Sequence, residues 1–181
     1  MTARPTRRPL PPRAPEPDRV EDSDDEQEAA PWLDAAHTDA DLANQQLRGE
    51  ELRRCAFTRC RMTGLQLPEG SLSDVRFVDC RVDLASLRWA TLERVHFQGC
   101  VLRELDLVEA QLQDVLFEDC DLRLAEVGGM RCSRVELRGC EVEGLGGVDG
   151  LRGALVRWPD AVALLGPLVA GAGLVVLDDE D

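Results

Sequence analysis

The most reactive side chains in this sequence are seven cysteines, and five of them recur at a fixed interval. Those five are Cys60, Cys80, Cys100, Cys120 and Cys140, each 20 residues after the one before. A cysteine can serve as a nucleophile, a metal ligand or one half of a disulfide. Zinc-binding cysteines usually form close pairs such as Cys-x-x-Cys, and the sequence contains no such pair. We therefore predict no metal site.

Disulfides are also disfavoured. A secreted disulfide framework needs an oxidising compartment, and residues 1–13 lack the apolar stretch of a signal peptide. We predict a cytoplasmic protein with free, buried thiols, since free cysteine packs as a small hydrophobic residue.

No catalytic constellation accompanies the thiols. The two histidines, His37 and His96, lie far apart in sequence, and no serine or cysteine partner is evident for either. The sequence has no P-loop, no dinucleotide-binding glycine motif, no His-Glu-x-x-His and no nucleophile elbow. We predict a protein that is not an enzyme and that binds no cofactor.

A five-residue period accounts for the positions of the cysteines. Every fifth residue from Leu42 to Val142 is apolar, at all 21 positions, although only 44% of the chain is apolar. A second row, two residues earlier, is also almost entirely apolar and contains six of the seven cysteines. Helices repeat every 3.6 residues and strands every 2, so neither fits. A repeated unit that consists of a short extended side and a turn would direct two of every five residues inward, which explains the pattern.

A longer period of 20 residues indicates how the sides assemble. Phe57, Phe77, Phe97 and Phe117 share the 20-residue spacing of the cysteines. Four five-residue sides therefore make one coil, and like residues stack on the coil below, as in a solenoid. With coils about 4.8 Å apart, the regular part would be a rod about 25 Å long. Its interior would be filled with side chains, which leaves no ligand-sized space along the bore.

The repeats can be compared with a known family. Segments such as Ala40-Asp41-Leu42, Cys120-Asp121-Leu122 and Cys100-Val101-Leu102 resemble the A(D/N)LXX unit of the pentapeptide-repeat proteins. The resemblance covers residues 40–147. It implies an all-β solenoid, specifically a right-handed, four-sided β-helix.

Composition divides the N-terminal part of the chain into a tail and a cap. Residues 1–30 combine six prolines with an acidic run, and we predict a disordered tail because so few apolar residues cannot offset the entropy of ordering. Residues 31–51 are predicted to cap the solenoid. There the inner row holds the polar Gln45 and Glu50, so either the first coil is irregular or the regular β-helix spans only residues 52–147.

The C-terminal cap is predicted over residues 148–177, as a strand, a helix at 159–170 interrupted at Gly166-Pro167, and a final strand. Residues 178–181 form a short acidic tail. The helix is apolar on all faces, so it requires cover from the barrel top, from the final strand or from a second copy of the chain. The candidate cap or homodimer residues are Val162, Leu165, Leu168 and Val169. The uncharged run at 161–177 reaches only the lower limit for a membrane span, and its glycines and proline disfavour one.

Outward-facing positions supply the candidate partner surface. Trp89 points outward by register, and an exposed tryptophan can anchor a protein interface, although a tail can also cover it. An acidic band extends over little more than one coil, and the alternative is a solvated face with salt bridges between coils. Its members are Glu104, Asp106, Glu109, Asp114, Glu118, Asp119, Asp121 and Glu126.

These observations favour a non-catalytic, rigid scaffold for protein–protein interaction. The net charge of −14 disfavours direct binding of nucleic acid. The family resemblance implies an alternative, in which the rod mimics duplex DNA, binds a type II topoisomerase such as DNA gyrase and protects it from quinolones or toxins. Arginines interrupt the acidic columns, which weakens the mimicry.

Overall fold

The body of the protein is a stack of parallel β-coils, seen in a computed structural model that describes residues 8–14 and 32–175. Seven strands follow one another in a single sheet path, and an additional strand pairs beside it. The strands are β1 Ala36–Thr38, β2 Glu51–Arg53, β3 Ala56–Thr58, β4 Ser71–Val78, β5 Thr91–Gln98, β6 Gln111–Glu118, β7 Arg131–Arg138 and β8 Leu155–Val156. All pairings are parallel, which confirms the predicted all-β solenoid.

The coil repeats every 20 residues, as the sequence predicts. Phe77 pairs with Phe97 and Phe97 with Phe117 in the strand register. We number the four sides by the coil at 71–90: side one is 71–73, side two 75–78, side three 80–83 and side four 85–88. Each side ends at a corner residue with positive φ, and this recurs every five residues from Asp34 to Gly144.

Most corner residues are not glycine. Trp89 and Leu84 occupy corners with φ of 57° each, a conformation that bulky side chains rarely adopt. Backbone hydrogen bonds to the next coil hold such corners, for example from the Trp89 N–H to the Val108 carbonyl oxygen at 3.1 Å.

The interior is filled by stacked side chains. Ring centroids are 5.0 Å apart between Phe57 and Phe77, 4.7 Å between Phe77 and Phe97, and 5.1 Å between Phe97 and Phe117. His37 extends this column, since its ring stacks on Phe57 at 5.1 Å. The predicted pile of phenylalanines is therefore confirmed, and it packs the bore without a ligand-sized gap around the rings.

The cysteines are free, and six of the seven are buried. Five of them, at 20-residue intervals from Cys60 to Cys140, form a column of their own, and their thiols contact main-chain carbonyls, such as Cys80 Sγ to the Phe57 oxygen at 3.4 Å. Hydrogen bonding to Cys100, together with burial, raises the pKa of Cys120 to about 12. Cys80 differs, because hydrogen bonding with Cys100 lowers the pKa of its thiol.

The N-terminal cap predicted at 31–51 is itself a coil. β1 pairs with β3, and the bridges Asp41 to Arg61 and Gln46 to Gln66 continue the stacking on the next two sides. Gln45 is half-buried and Glu50 is exposed, because this coil is the open end of the stack and water reaches its inner row. Trp32 packs against the core beneath Phe57, with ring centroids 6.4 Å apart.

The C-terminal cap differs from the prediction in where its helix breaks. After a 3₁₀ turn, Val148–Leu151, and β8, the chain forms α1 Trp158–Ala163 and α2 Leu165–Gly171. The break lies at Leu164 because Pro167 is accommodated in the first turn of α2, where its missing N–H is not needed. Leu174 and Val175 are not in a strand, and the rest of the final strand and the acidic tail at 178–181 lie outside the described residues.

Residues 8–14, which fall within the predicted disordered tail at 1–30, contact the coils. The N–H groups of Leu10 and Arg13 donate to the carboxylates of Asp114 and Asp74. The remainder of that prediction, at 1–7 and 15–30, falls outside the described residues. Within residues 8–14 and 32–175, no helix is long and apolar enough to span a membrane.

Candidate functional site

Trp89 lies on the surface, as its register predicts. It is 51% exposed at the corner between side four and side one. The guanidinium carbon of Arg88 lies 5.0 Å from the centre of its ring, in cation–π range. About half of the Trp89 surface is open to solvent in the described part of the protein.

Four of the eight acidic candidates lie beside Trp89 on side four or its corners. Asp106 and Glu126 share one register on this side, and Glu104 and Glu109 occupy its two corners in the coil above Trp89. Asp106 is paired with Arg88 at 2.9 Å. Glu104, Glu109 and Glu126 form no ion pair within the described part of the chain. These four acids and Trp89 form what we call the side-four surface.

The other four acids lie elsewhere on the rod. Asp114 is 1% exposed beneath the N-terminal segment and pairs with Arg134 at 2.5 Å. Glu118 on side two pairs with Arg138 at 2.7 Å. Asp119 lies at the corner diagonally opposite Trp89, and Asp121 on side three pairs with Arg103 and Arg123. The acidic band is therefore spread over sides two, three and four and over all four corners.

Large apolar residues that the prediction did not select also reach the surface. Leu84 and Leu124, at the corner between sides three and four, are 51% and 57% exposed. Leu84 lies five residues before Trp89, and Leu124 lies 40 residues, or two coils, after Leu84. The five-residue period therefore identifies both as corner residues. They widen the side-four surface with apolar area.

The C-terminal cap exposes much of its apolar surface. Leu164 and Pro167 are buried, whereas Val162, Leu165 and Leu168 are 51%, 56% and 47% exposed. Val169 is half-buried. Trp158, at the start of α1, is 81% exposed and adds to this surface. The described residues of one copy of the chain thus do not cover the helix on all faces.

A cavity of about 810 Å³ lies between α2 and the last coil. Pro167, Ala170 and Gly171 line one wall, and Val142 and Gly144–Gly147 line the other. The lining is mostly apolar and main-chain atoms, with Glu141, Glu143 and Arg123 at the edge. The residues that line this cavity do not form a cluster of reactive side chains.

The titratable groups form ion pairs and no catalytic arrangement in the described residues. His96 Nε2 lies 3.2 Å from a Glu118 carboxylate oxygen, and burial lowers the pKa of this histidine despite that partner. Within residues 8–14 and 32–175, no three metal-binding side chains converge.

The repeat geometry has a counterpart among known families. A family model for the pentapeptide repeat region matches residues 50–104 and 85–146. The chain belongs to the pentapeptide repeat family. Among curated proteins, none matches this chain.

Several solved pentapeptide repeat proteins are similar to this chain. QnrB1, a plasmid-mediated fluoroquinolone resistance protein, is 16% identical over 62% of this chain and 58% of its own, with a TM-score of 0.37. This match thus spans less than two thirds of QnrB1. Rfr23 from the cyanobacterium Cyanothece 51142 is 17% identical over 61% of this chain and 89% of its own, with a TM-score of 0.40. HetL from Nostoc sp. strain PCC 7120, involved in heterocyst differentiation regulation, is 16% identical over 64% and 72%, with a TM-score of 0.27.

Proposed function

We propose that this protein is a non-catalytic scaffold that binds a macromolecular partner through the side-four surface. The observation that carries the proposal is a half-exposed Trp89 at a coil corner, beside Glu104, Glu109 and Glu126, which form no ion pair within residues 8–14 and 32–175. A rigid aromatic anchor loses little conformational entropy on binding, and tryptophan is enriched at interface hot spots. The filled bore supports the same function, because it leaves the outer surface as the place for recognition.

Self-association through the cap is part of the proposal. Val162, Leu165, Leu168 and Trp158 lie on two short consecutive helices, and each is about half exposed or more. Exposed apolar residues grouped in this way are typical of protein–protein contact sites. We expect a homodimer in which the cap of one copy covers the cap of the other.

The test of the side-four surface is affinity capture from the native host with the full chain. Trp89→Gly removes the indole and suits the positive φ of that corner. We expect partner retention to fall at least tenfold, as for a hot-spot residue. Asp119→Asn, at the opposite corner, is the matched control and should retain the partner. Equal retention by both variants would refute the side-four assignment, and substrate turnover abolished by a single substitution would refute the non-catalytic assignment.

Mimicry of duplex DNA towards a type II topoisomerase is the second candidate. Glu104, Glu109 and Glu126 support it: they form no ion pair with the described residues, and carboxylates along one side of a rod can substitute for phosphates. Pairing of Asp106, Asp114, Glu118 and Asp121 with arginines weighs against it. Mimicry requires salt-sensitive binding to gyrase, so unchanged supercoiling and unchanged drug inhibition at micromolar protein would exclude it.

A further inference from the structure

One corner of the solenoid carries an alternating ladder of aspartate and arginine. The corner between sides one and two places one residue in each coil, at 20-residue intervals. These residues are Asp34, Arg54, Asp74, Arg94, Asp114 and Arg134. Each arginine reaches down one coil to the aspartate below it, so the ladder consists of three Arg–Asp pairs.

The upper two pairs are formed by the same atoms. Arg94 Nε donates to Asp74 Oδ1 at 2.6 Å, and Arg134 Nε donates to Asp114 Oδ1 at 2.6 Å. The same two Oδ1 atoms each accept one further hydrogen bond of 3.1 Å, from the Arg13 N–H at Asp74 and from the Leu10 N–H at Asp114. The pKa of each carboxyl is held below its usual range, first by its arginine and in addition by that N–H.

The prolines of the N-terminal segment leave main-chain N–H groups at a spacing that matches the two carboxylates. Pro9, Pro11 and Pro12 have no N–H, so Leu10 and Arg13 are the only main-chain donors from residue 9 to residue 13. Proline fixes its own φ and restricts the residue before it, which favours a polyproline II helix. That helix advances about 3.1 Å per residue, or about 9.3 Å over three residues. Two coils span about 9.6 Å, so one turn of the helix matches the separation of Asp74 and Asp114.

The contact leaves space for other side chains. A cavity of about 290 Å³ lies between Pro11 and Pro12 on one wall and Ala56, Arg76 and His96 on the other. The prolines therefore do not fill the groove, and the hydrogen bonds that fix the segment come from its main chain. Recognition of this kind depends on backbone conformation and on the spacing of N–H groups more than on particular side chains.

We propose that this corner is a binding groove for a polyproline II peptide with free N–H groups three residues apart, and that residues 9–13 occupy it in cis. The ligand class is a proline-rich segment of the pattern x-Pro-Pro-x, in which both flanking residues donate to buried, arginine-paired carboxylates. The chain's own segment acts as a built-in competitor for such ligands. A tethered segment has an effective concentration on the order of millimolar, so the groove is closed to weak ligands unless the segment is released.

The test compares full-length variants that differ only in their main-chain donors. Leu10→Pro with Arg13→Pro removes both N–H groups while preserving the polyproline II preference, and Leu10→Ala with Arg13→Ala retains both N–H groups as the matched control. The probe is a fluorescent peptide of residues 6–16, measured by anisotropy. We expect the proline variant to bind it at least tenfold more tightly than the wild-type protein or the alanine variant. A probe carrying the same two prolines should not bind.

Equal affinity of the probe for all three proteins, or no binding to the proline variant, would overturn the proposal. Circular dichroism confirms that each variant retains the coil. Amide hydrogen exchange on the wild-type protein gives an independent readout that requires no substitution. The amides of Leu10 and Arg13 should exchange at least tenfold more slowly than that of Ala14, and equal exchange at all three would also overturn it.

Discussion

The solenoid body and the C-terminal cap are both rich in apolar residues, but they bury them to different extents. In the body, large residues such as Phe77, Phe97 and Leu102 are at most 1% exposed. In the cap, Val162, Leu165 and Leu168 are about half exposed. The difference arises because each coil supplies the cover for the next, whereas the cap has no coil above it. Apolar composition therefore indicates a core in the body and an interface in the cap.

The largest expected effect is a contrast in stability between these two regions. Phe97→Ala opens a cavity between two stacked rings and should lower the free energy of unfolding by about 4 kcal/mol. Leu168→Ala, at a site 47% exposed, should cost less than about 1 kcal/mol in the monomer. Urea denaturation followed by circular dichroism measures both. Similar costs at the two sites would contradict the proposed division between core and interface.

The next effect concerns an ion pair that belongs to the body alone. Asp114 is buried and paired with Arg134, so Asp114→Asn should lower the free energy of unfolding by about 3 kcal/mol near neutral pH. Because the pKa of Asp114 is lowered in the folded state, its contribution is present above the ordinary pKa of 3.8 and is lost as the pH falls through the lowered value.

Denaturation curves between pH 7 and pH 2 test the sign of this effect. The wild-type protein should lose stability on acidification, and Asp114→Asn should lose less. Asp39→Asn is a control in which the broken pair, with Arg59, is exposed. An equally steep pH dependence in the wild-type protein and in Asp114→Asn would show that the carboxylate is not stabilising.

The smallest expected effect is a difference in alkylation rate between two thiols of the wild-type protein. Cys132 Sγ lies 3.3 Å from the Gly150 carbonyl oxygen, under the 3₁₀ turn of the cap, whereas Cys100 lies within the stack. Local opening of the cap should expose Cys132 without disturbing the coils. We expect native-state alkylation, followed by mass spectrometry, to label Cys132 at least tenfold faster than Cys100. Equal rates would mean that the cap and the body open together.

The sequence predicts the body well because one rule governs every coil. Phe57, Phe77 and Phe97 stack because their 20-residue spacing is the length of one turn, and the period alone contains that information. The first coil was harder to predict, since Gln45 and Glu50 break the apolar rule at an end where water satisfies polar groups. The break at Leu164 was missed because Gly166-Pro167 is a more obvious breaker, yet Pro167 fits an opening helical turn.

The candidate site was only partly predictable. The outward position of Trp89 follows from its register, and the structure confirms it. The acidic residues were treated as one band, but their positions within the 20-residue turn assign them to three sides and four corners. Counting from the corner residues would have grouped Glu104, Asp106, Glu109 and Glu126 from the sequence. The hydrogen bonds from Leu10 and Arg13 to Asp114 and Asp74 could not be predicted from the coil pattern. They depend on a match between the three-residue turn of the N-terminal segment and the spacing of the coils.

The oligomeric state of the full chain tests the contrast between body and cap most directly. Light scattering coupled to size-exclusion chromatography should give a dimer for the wild-type protein at tens of micromolar. Leu165→Asp, which places a charge on the exposed face of α2, should give a folded monomer with an unchanged unfolding midpoint at low concentration. A wild-type monomer at tens of micromolar, or unfolding of Leu165→Asp, would contradict the account, because the exposed leucines would then be a poorly covered core and no interface.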